Sequence, residues 1–120
     1  SDNISINIDL EAKILDLNLE MINSMEKLEP FGMGYPEPTI LIKKVSSVYS
    51  KIIGKNKTHL SCTLEDIYGY RINAIIFNFE NSILRVIEEK REFDVIGKVS
   101  LNVWENKKIP QFFIEDLRVI

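Results

Sequence analysis

Two short basic stretches hold the residues whose types and spacing best suit chemistry. "GKNKTH" carries Lys55, Lys57 and His59, and "WENKK" carries Trp104, Lys107 and Lys108. Phosphates are neutralised by mobile cations, and single-stranded bases need exposed ring faces, each stacked base contributing about 1–3 kcal/mol. Lysines around a tryptophan fit such a polyanion better than they fit acid–base catalysis. The net charge of −3 conceals where these cations lie. Residues 1–38 set eight acids against Lys13 and Lys27, a net of −6, whereas residues 39–120 set ten acids against thirteen bases, a net of +3. The second part is only mildly basic, so the placement of its charges has to decide whether a polyanion is the partner.

Other chemistry finds little to build on. His59 is the only histidine and Cys62 the only cysteine, so a zinc site, a multi-histidine site and an internal disulfide all lack components. We expect no metal and no cofactor in this chain. There is no Gly-rich phosphate loop and no nucleophile elbow, and Glu65, Asp66, Glu115 and Asp116 have no partner set that spacing identifies. No catalytic residue is assigned, and the chain is read as non-enzymatic. Cys62 is read as a core thiol. No run of 18 apolar residues and no basic, apolar leader is present, so we expect a soluble, cytoplasmic protein with no membrane partner. Ser1 in place of an initiating methionine leads us to expect a piece of a longer protein.

These residues need elements to hold them. Ile4, Ile6 and Ile8 alternate with polar residues as in a half-buried strand. Asp9 is the expected N-cap of a helix whose apolar stripe runs through Leu10, Ile14, Leu17, Met21, Met25 and Leu28 and stops before Pro30. "LEPFGMGYPEP", residues 28–38, follows; its prolines restrict the chain and its glycines permit unusual conformations, so a shaped turn is expected. The period then becomes that of strands: residues 39–53, with a bend near Ser46 and Ser47, then "HLSCTL", then residues 70–78. A short amphipathic helix over residues 81–89, "EFDVIGKVSLNVW", the turn "ENKK" and "IPQFFIEDLRVI" complete the chain. Gly97 suits a corner in the fourth of these strands.

Five strands with a short helix between the third and fourth is the order of a mainly β, five-stranded Greek-key OB-fold barrel, here preceded by a strand and a long helix. A small all-β sandwich is the alternative. The expected division is residues 1–38 as a leading segment and residues 39–120 as the barrel domain. In an OB barrel the loops joining strands 1 to 2 and 4 to 5 flank the ligand, and those are the two basic stretches. Strand parity turns Trp104 outward with Lys98 and Asn102, and adds Tyr49 and Lys51 on the first barrel strand and Arg71 and Asn73 on the third. Phe77 shares the parity of Arg71 yet also fits the core. His59 fits equally a ligand contact and an ordinary polar residue at a loop edge.

"LEPFGMGYPEP" resembles the Leu-Glu-Pro-Phe-Gly-x-Gly-Asn-Pro-Glu-Pro signature of RecJ-type single-strand-specific DNA exonucleases. "IIGKNKTHLSCTL" is similar to that family's Gly-Lys…His-Leu stretch, "INAIIFNF" to its Ala-x-x-Phe strand, and "VIGKVSLNVWENKKIPQFFIEDLRVI" to its closing hairpin and terminal strand. The resemblance implies that residues from about 39 onward are the family's OB domain. It also implies that the parent degrades single-stranded DNA from the 5′ end in repair and recombination, with Mn or Mg held in separate catalytic domains. The implied partners are single-stranded DNA, the rest of the parent exonuclease and a single-strand-binding protein. Phe31 is expected to fix an inter-domain angle, and Tyr35, which stands where the family has Asn, to lie nearer the DNA path. Asn106 replaces the usual turn glycine and tolerates positive φ. A competing reading makes the domain a structural or protein-interaction module bracing the catalytic core, carried by the helix stripe and the aromatic loop.

Overall fold

Alternation of apolar and polar side chains builds a sheet of six strands in the computed structural model, which describes residues 8–26 and 37–120. The order is β1 (Leu10–Glu11), α1 (Leu19–Glu26), β2 (Ile40–Ile53), β3 (His59–Asp66), β4 (Arg71–Ile76), α2 (Asn81–Glu88), β5 (Phe93–Trp104) and β6 (Lys107–Val119). Strands neighbour one another as β1-β2-β3-β4-β6-β5, and a further pairing of β2 with β5 closes β2 to β6 on themselves. The inward positions are apolar: Leu60, Cys62 and Leu64 of β3, Ile72, Ala74 and Ile76 of β4, Phe93, Val95 and Val99 of β5, and Phe112 and Ile114 of β6. Ile87 of α2 joins the same core. Each Val, Leu, Ile or Phe among them stabilises the fold by about 1.5–3 kcal/mol through removal from water, and Ala74 by less.

Closure depends on how β2 bends. Its first half pairs with β5, Ile40 opposite Gly97 and Ile42 opposite Val95, and its second half pairs with β3. The register breaks between Ile42 and Val45, where Lys44 has φ 55° and donates its backbone N–H to Asp94 Oδ1 at 3.0 Å, and again between Ser47 and Tyr49. The bend expected near Ser46 and Ser47 is therefore a bulge, and it turns Ser47 into the core at 2% exposure while Tyr49 stays outside. Gly97 sits at a break in the β5–β6 register, and a Cβ there would run into the Phe113 carbonyl oxygen and lie 2.9 Å from the Phe112 ring. Only glycine lets the strands approach so closely at this corner.

The N-terminal segment departs from the sequence reading. Helix α1 begins at Leu19, and the stretch expected to be its first half is instead the parallel strand β1, Leu10 opposite Ile40, followed by a 3₁₀ turn at Ile14–Asp16. Asp9 caps no helix; its carboxylate accepts the Thr39 backbone N–H at 2.9 Å and fastens the segment to the start of β2. Asn18 is the cap of α1, its Oδ1 accepting the Met21 N–H at 2.9 Å. The strand pairing offered by the open edge of β2 outweighs a helical stripe that is marginal in isolation. The sheet accordingly has six strands where five were expected. Ile14, Leu17 and Ile22 still bury their side chains, in the barrel core. Ile4, Ile6, Leu28, Pro30, Phe31 and Tyr35 lie outside the described residues.

Candidate nucleic-acid interface

Directly paired residues of a sheet share a face, so register shows which outward side chains lie together. One transverse row is Tyr49, Thr63, Asn73, Gln111 and Ser100, from β2 across β3, β4 and β6 to β5. The next row is Lys51, Ser61, Ile75, Phe113 and Lys98. Beyond it, toward the loop joining β2 to β3, His59 and Phe77 lie edge to face with ring centroids 5.1 Å apart. Phe77 in turn stacks on Phe113, centroids 5.9 Å apart and planes 15° from parallel. Tyr49 is 59% exposed and Phe77 52%, so this face presents rings to solvent rather than hiding them. Such a platform can stack unpaired bases without reading their identity.

Phe113 escaped the sequence reading. A signal for it existed: Phe112 and Phe113 are adjacent in a strand, where neighbours point to opposite faces, so one of them had to leave the core. Phe112 is the buried one, and Phe113 supports Phe77 from the outside.

The candidate cations divide into two groups. Arg71 Nε donates to Glu65 Oε2 at 2.7 Å, and Lys98 Nζ donates to both carboxylate oxygens of Glu115, at 3.0 and 3.1 Å, and to Thr39 Oγ1 at 3.2 Å. Both belong to the outer face but are engaged by acids of that face. Lys51, Lys55, Lys57, Lys107 and Lys108 make no ion pair among the described residues. Lys55 and Lys57 project from the exposed turn after β2, in which Lys57 has φ 56° and Gly54 φ 98°.

Trp104 is 59% exposed at the end of β5, opposite Lys107; Lys108 pairs with Val103 and so takes the reverse face of the hairpin. Asn102 lies one step inward, opposite Ile109. Trp104 and the Lys55–Lys57 turn do not converge on one groove. Six residue steps along β5 separate Trp104 from the row of Lys98 and Lys51, roughly 20 Å, and the turn lies beyond that row. The two basic stretches thus stand at opposite ends of a face whose middle holds Tyr49, Asn73, Phe77 and Phe113.

Among the described residues no group of three or more His, Cys, Asp or Glu is placed to hold a metal ion, so the donors present do not fit a catalytic metal. Burial pushes the Cys62 thiol up to about 12, with the Ser47 hydroxyl beside it pulling the other way, and the thiol faces the core, away from the candidate face. Among the described residues no helix is long and apolar enough to cross a membrane.

Comparison with known proteins agrees with this architecture. A model of the RecJ OB domain family matches residues 8–116. The single-stranded-DNA-specific exonuclease RecJ of Bacillus subtilis is 31% identical over 112 residues, which is 93% of this chain and 14% of that protein. The crystal structure of RecJ in complex with Mg2+ from Thermus thermophilus superposes with a TM-score of 0.62 at 22% identity, covering 92% of this chain and 16% of that one. The Mn2+ complex of the same protein gives 0.53 at 25% identity, over 76% of this chain and 12% of that one. The chain therefore spans about one seventh of the length of these relatives. Extent of match, identity and barrel topology lead to one assignment: the chain belongs to the RecJ OB domain family.

Proposed function

We propose that this chain is the module with which a RecJ-like exonuclease grips single-stranded DNA and helps direct it to nuclease domains elsewhere in the polypeptide. The parent would hydrolyse the strand from its 5′ end, with Mn or Mg held by those other domains, in DNA repair and recombination in the cytoplasm. Strands β2 to β6 are the OB barrel, β1 is an addition to its edge, and residues 1–38 lead in from the preceding domain. The observation that carries the reading is the contiguous ring series of half-buried His59, exposed Phe77 and half-buried Phe113, flanked by exposed Tyr49 and by Lys55 and Lys57, which make no ion pair among the described residues. Within the face, Tyr49, Asn73, Phe77 and Phe113 contact bases, Lys51, Lys55 and Lys57 contact phosphates, and Trp104 with Lys107 holds the strand as it passes the far end.

Anisotropy titration of a labelled oligonucleotide tests this. Phe77→Ala is expected to weaken binding roughly 5-fold or more, as the loss of one stacked base requires. Lys55→Ala with Lys57→Ala is expected to weaken it and to flatten its salt dependence. Unchanged affinity in both variants would remove this face from the reading.

A second reading has its own observation. Leu15, Leu19 and Tyr70 are exposed around an open groove of about 530 Å³ between the N-terminal segment and the start of β4, and Ile67 and Tyr68 are exposed in the turn that precedes β4. Apolar exposure of this kind suits a protein contact, and we assign it to the remaining part of the parent polypeptide. Leu15→Ser with Tyr70→Ser would then lower activity of the full enzyme while leaving DNA binding by the isolated domain intact.

A further inference from the structure

His59 lies at the junction of two otherwise separate features: the turn that carries Lys55 and Lys57, and the ring pair Phe77–Phe113. Its imidazole is held on three sides. The Asn78 backbone N–H donates to Nδ1 at 3.0 Å, fixing that nitrogen as the acceptor and Nε2 as the protonated one. Phe77 meets the ring edge to face. Gly54 closes the third side so tightly that a Cβ there would stand 2.9 Å from Cδ2, at a φ of 98° that other residues adopt only with strain. A second bond runs alongside, the Phe79 N–H donating to the Thr58 carbonyl at 3.0 Å. Within the turn the Lys57 N–H donates to the Gly54 carbonyl at 3.1 Å, so the residue that packs on the imidazole also sets the lysine's backbone.

From this geometry we infer that His59 is a positioning residue: it clamps the Lys55–Lys57 turn to the start of the β4–α2 connection, so that both lysines stand over the strand stacked on Phe77. The inference rests on the single-stranded DNA reading above. Without the clamp the two cations would remain on the molecule but would no longer be presented at a fixed distance from the rings. Each phosphate neutralised on a single strand contributes a slope of about −0.7 to log affinity against log salt. Loss of both lysine contacts therefore flattens the slope by about 1.4, an effect that a general loss of stability does not produce in the folded fraction.

The test is the salt dependence of oligonucleotide binding by His59→Ala, with folding verified by circular dichroism. The expected result is a slope flattened by about 1.4 and no further change when His59→Ala is added to Lys55→Ala with Lys57→Ala, because the two changes remove the same contacts. His59→Asn, whose side-chain oxygen can take the place of Nδ1, is expected to recover part of the slope. Should His59→Ala not fold, Gly54→Ala reaches the same clamp from its other side and is expected to flatten the slope likewise. Nitrogen-15 spectra of the wild-type imidazole should show the Nε2–H tautomer. A wild-type slope in folded His59→Ala, or additive losses with the lysine variant, overturns the inference while leaving DNA binding standing. No binding by the wild-type domain overturns the DNA reading, and the inference falls with it.

Discussion

At the scale of single residues, the outer face is shaped as much by its acids as by its cations. Glu65 and Glu115 engage Arg71 and Lys98, and all four side chains are at least a quarter exposed, Arg71 most of all at 61%. Pairs this exposed add little to stability, so their effect on a ligand outweighs their effect on the fold. Glu65→Gln with Glu115→Gln is expected to tighten oligonucleotide binding by roughly three- to tenfold at low salt, since it removes two negative charges and releases two cations; anisotropy titration measures it. Cys62 makes a different prediction. A thiol raised on folding from its ordinary 9.0 to about 12 stabilises the fold fully below pH 9 and loses that contribution as pH rises toward 12. Urea unfolding should therefore weaken between pH 8 and pH 10.5 by roughly 2 kcal/mol more in the wild type than in Cys62→Ala. Residue types were readable from the sequence, and Trp104 and Cys62 lie where parity placed them, outside and inside. The engagement of Arg71 and Lys98 was not readable, because their partners come from other strands.

At the scale of elements, the strands were legible, and of the N-terminal helix only the second half, Leu19–Glu26, was. Period-two alternation marks β3 and β5 because one face of each meets the core. The stripe from Leu10 to Leu28 obeys helical spacing, yet β2 has an open edge at Ile40 and Leu41, and residues 10 and 11 pair there instead. No local pattern reveals such a tertiary competitor. Two backbone sites carry expectations of their own. Gly97→Ala must displace the Phe113 carbonyl, and is expected to destabilise by about 3 kcal/mol or more in chemical denaturation. Glu105 and Asn106 turn the β5–β6 hairpin with φ of 48° and 64°, the geometry that favours Asn-Gly. Replacing them by Asn and Gly is expected to raise stability by about 1 kcal/mol in chemical denaturation, by relieving the left-handed strain.

At the scale of the whole molecule, barrel closure followed from element order, whereas the layout of the face did not. The two loops that an OB barrel is expected to place beside a ligand are both exposed. Their separation to opposite ends of the face, with Phe113 between them, depends on the registers β4–β6 and β5–β6, which a linear sequence does not display. The resulting surface has rings in its middle and cations at its margins, on a chain of net charge −3. That distribution suits a strand threaded across the sheet better than a duplex, whose bases are already stacked on one another. The central claim is therefore tested by titrating the wild-type domain with a single-stranded oligonucleotide and with its duplex at two salt concentrations. The expected result is preferential binding of the single strand, weakening as salt rises; equal or stronger binding of the duplex, or no binding at low salt, would contradict it.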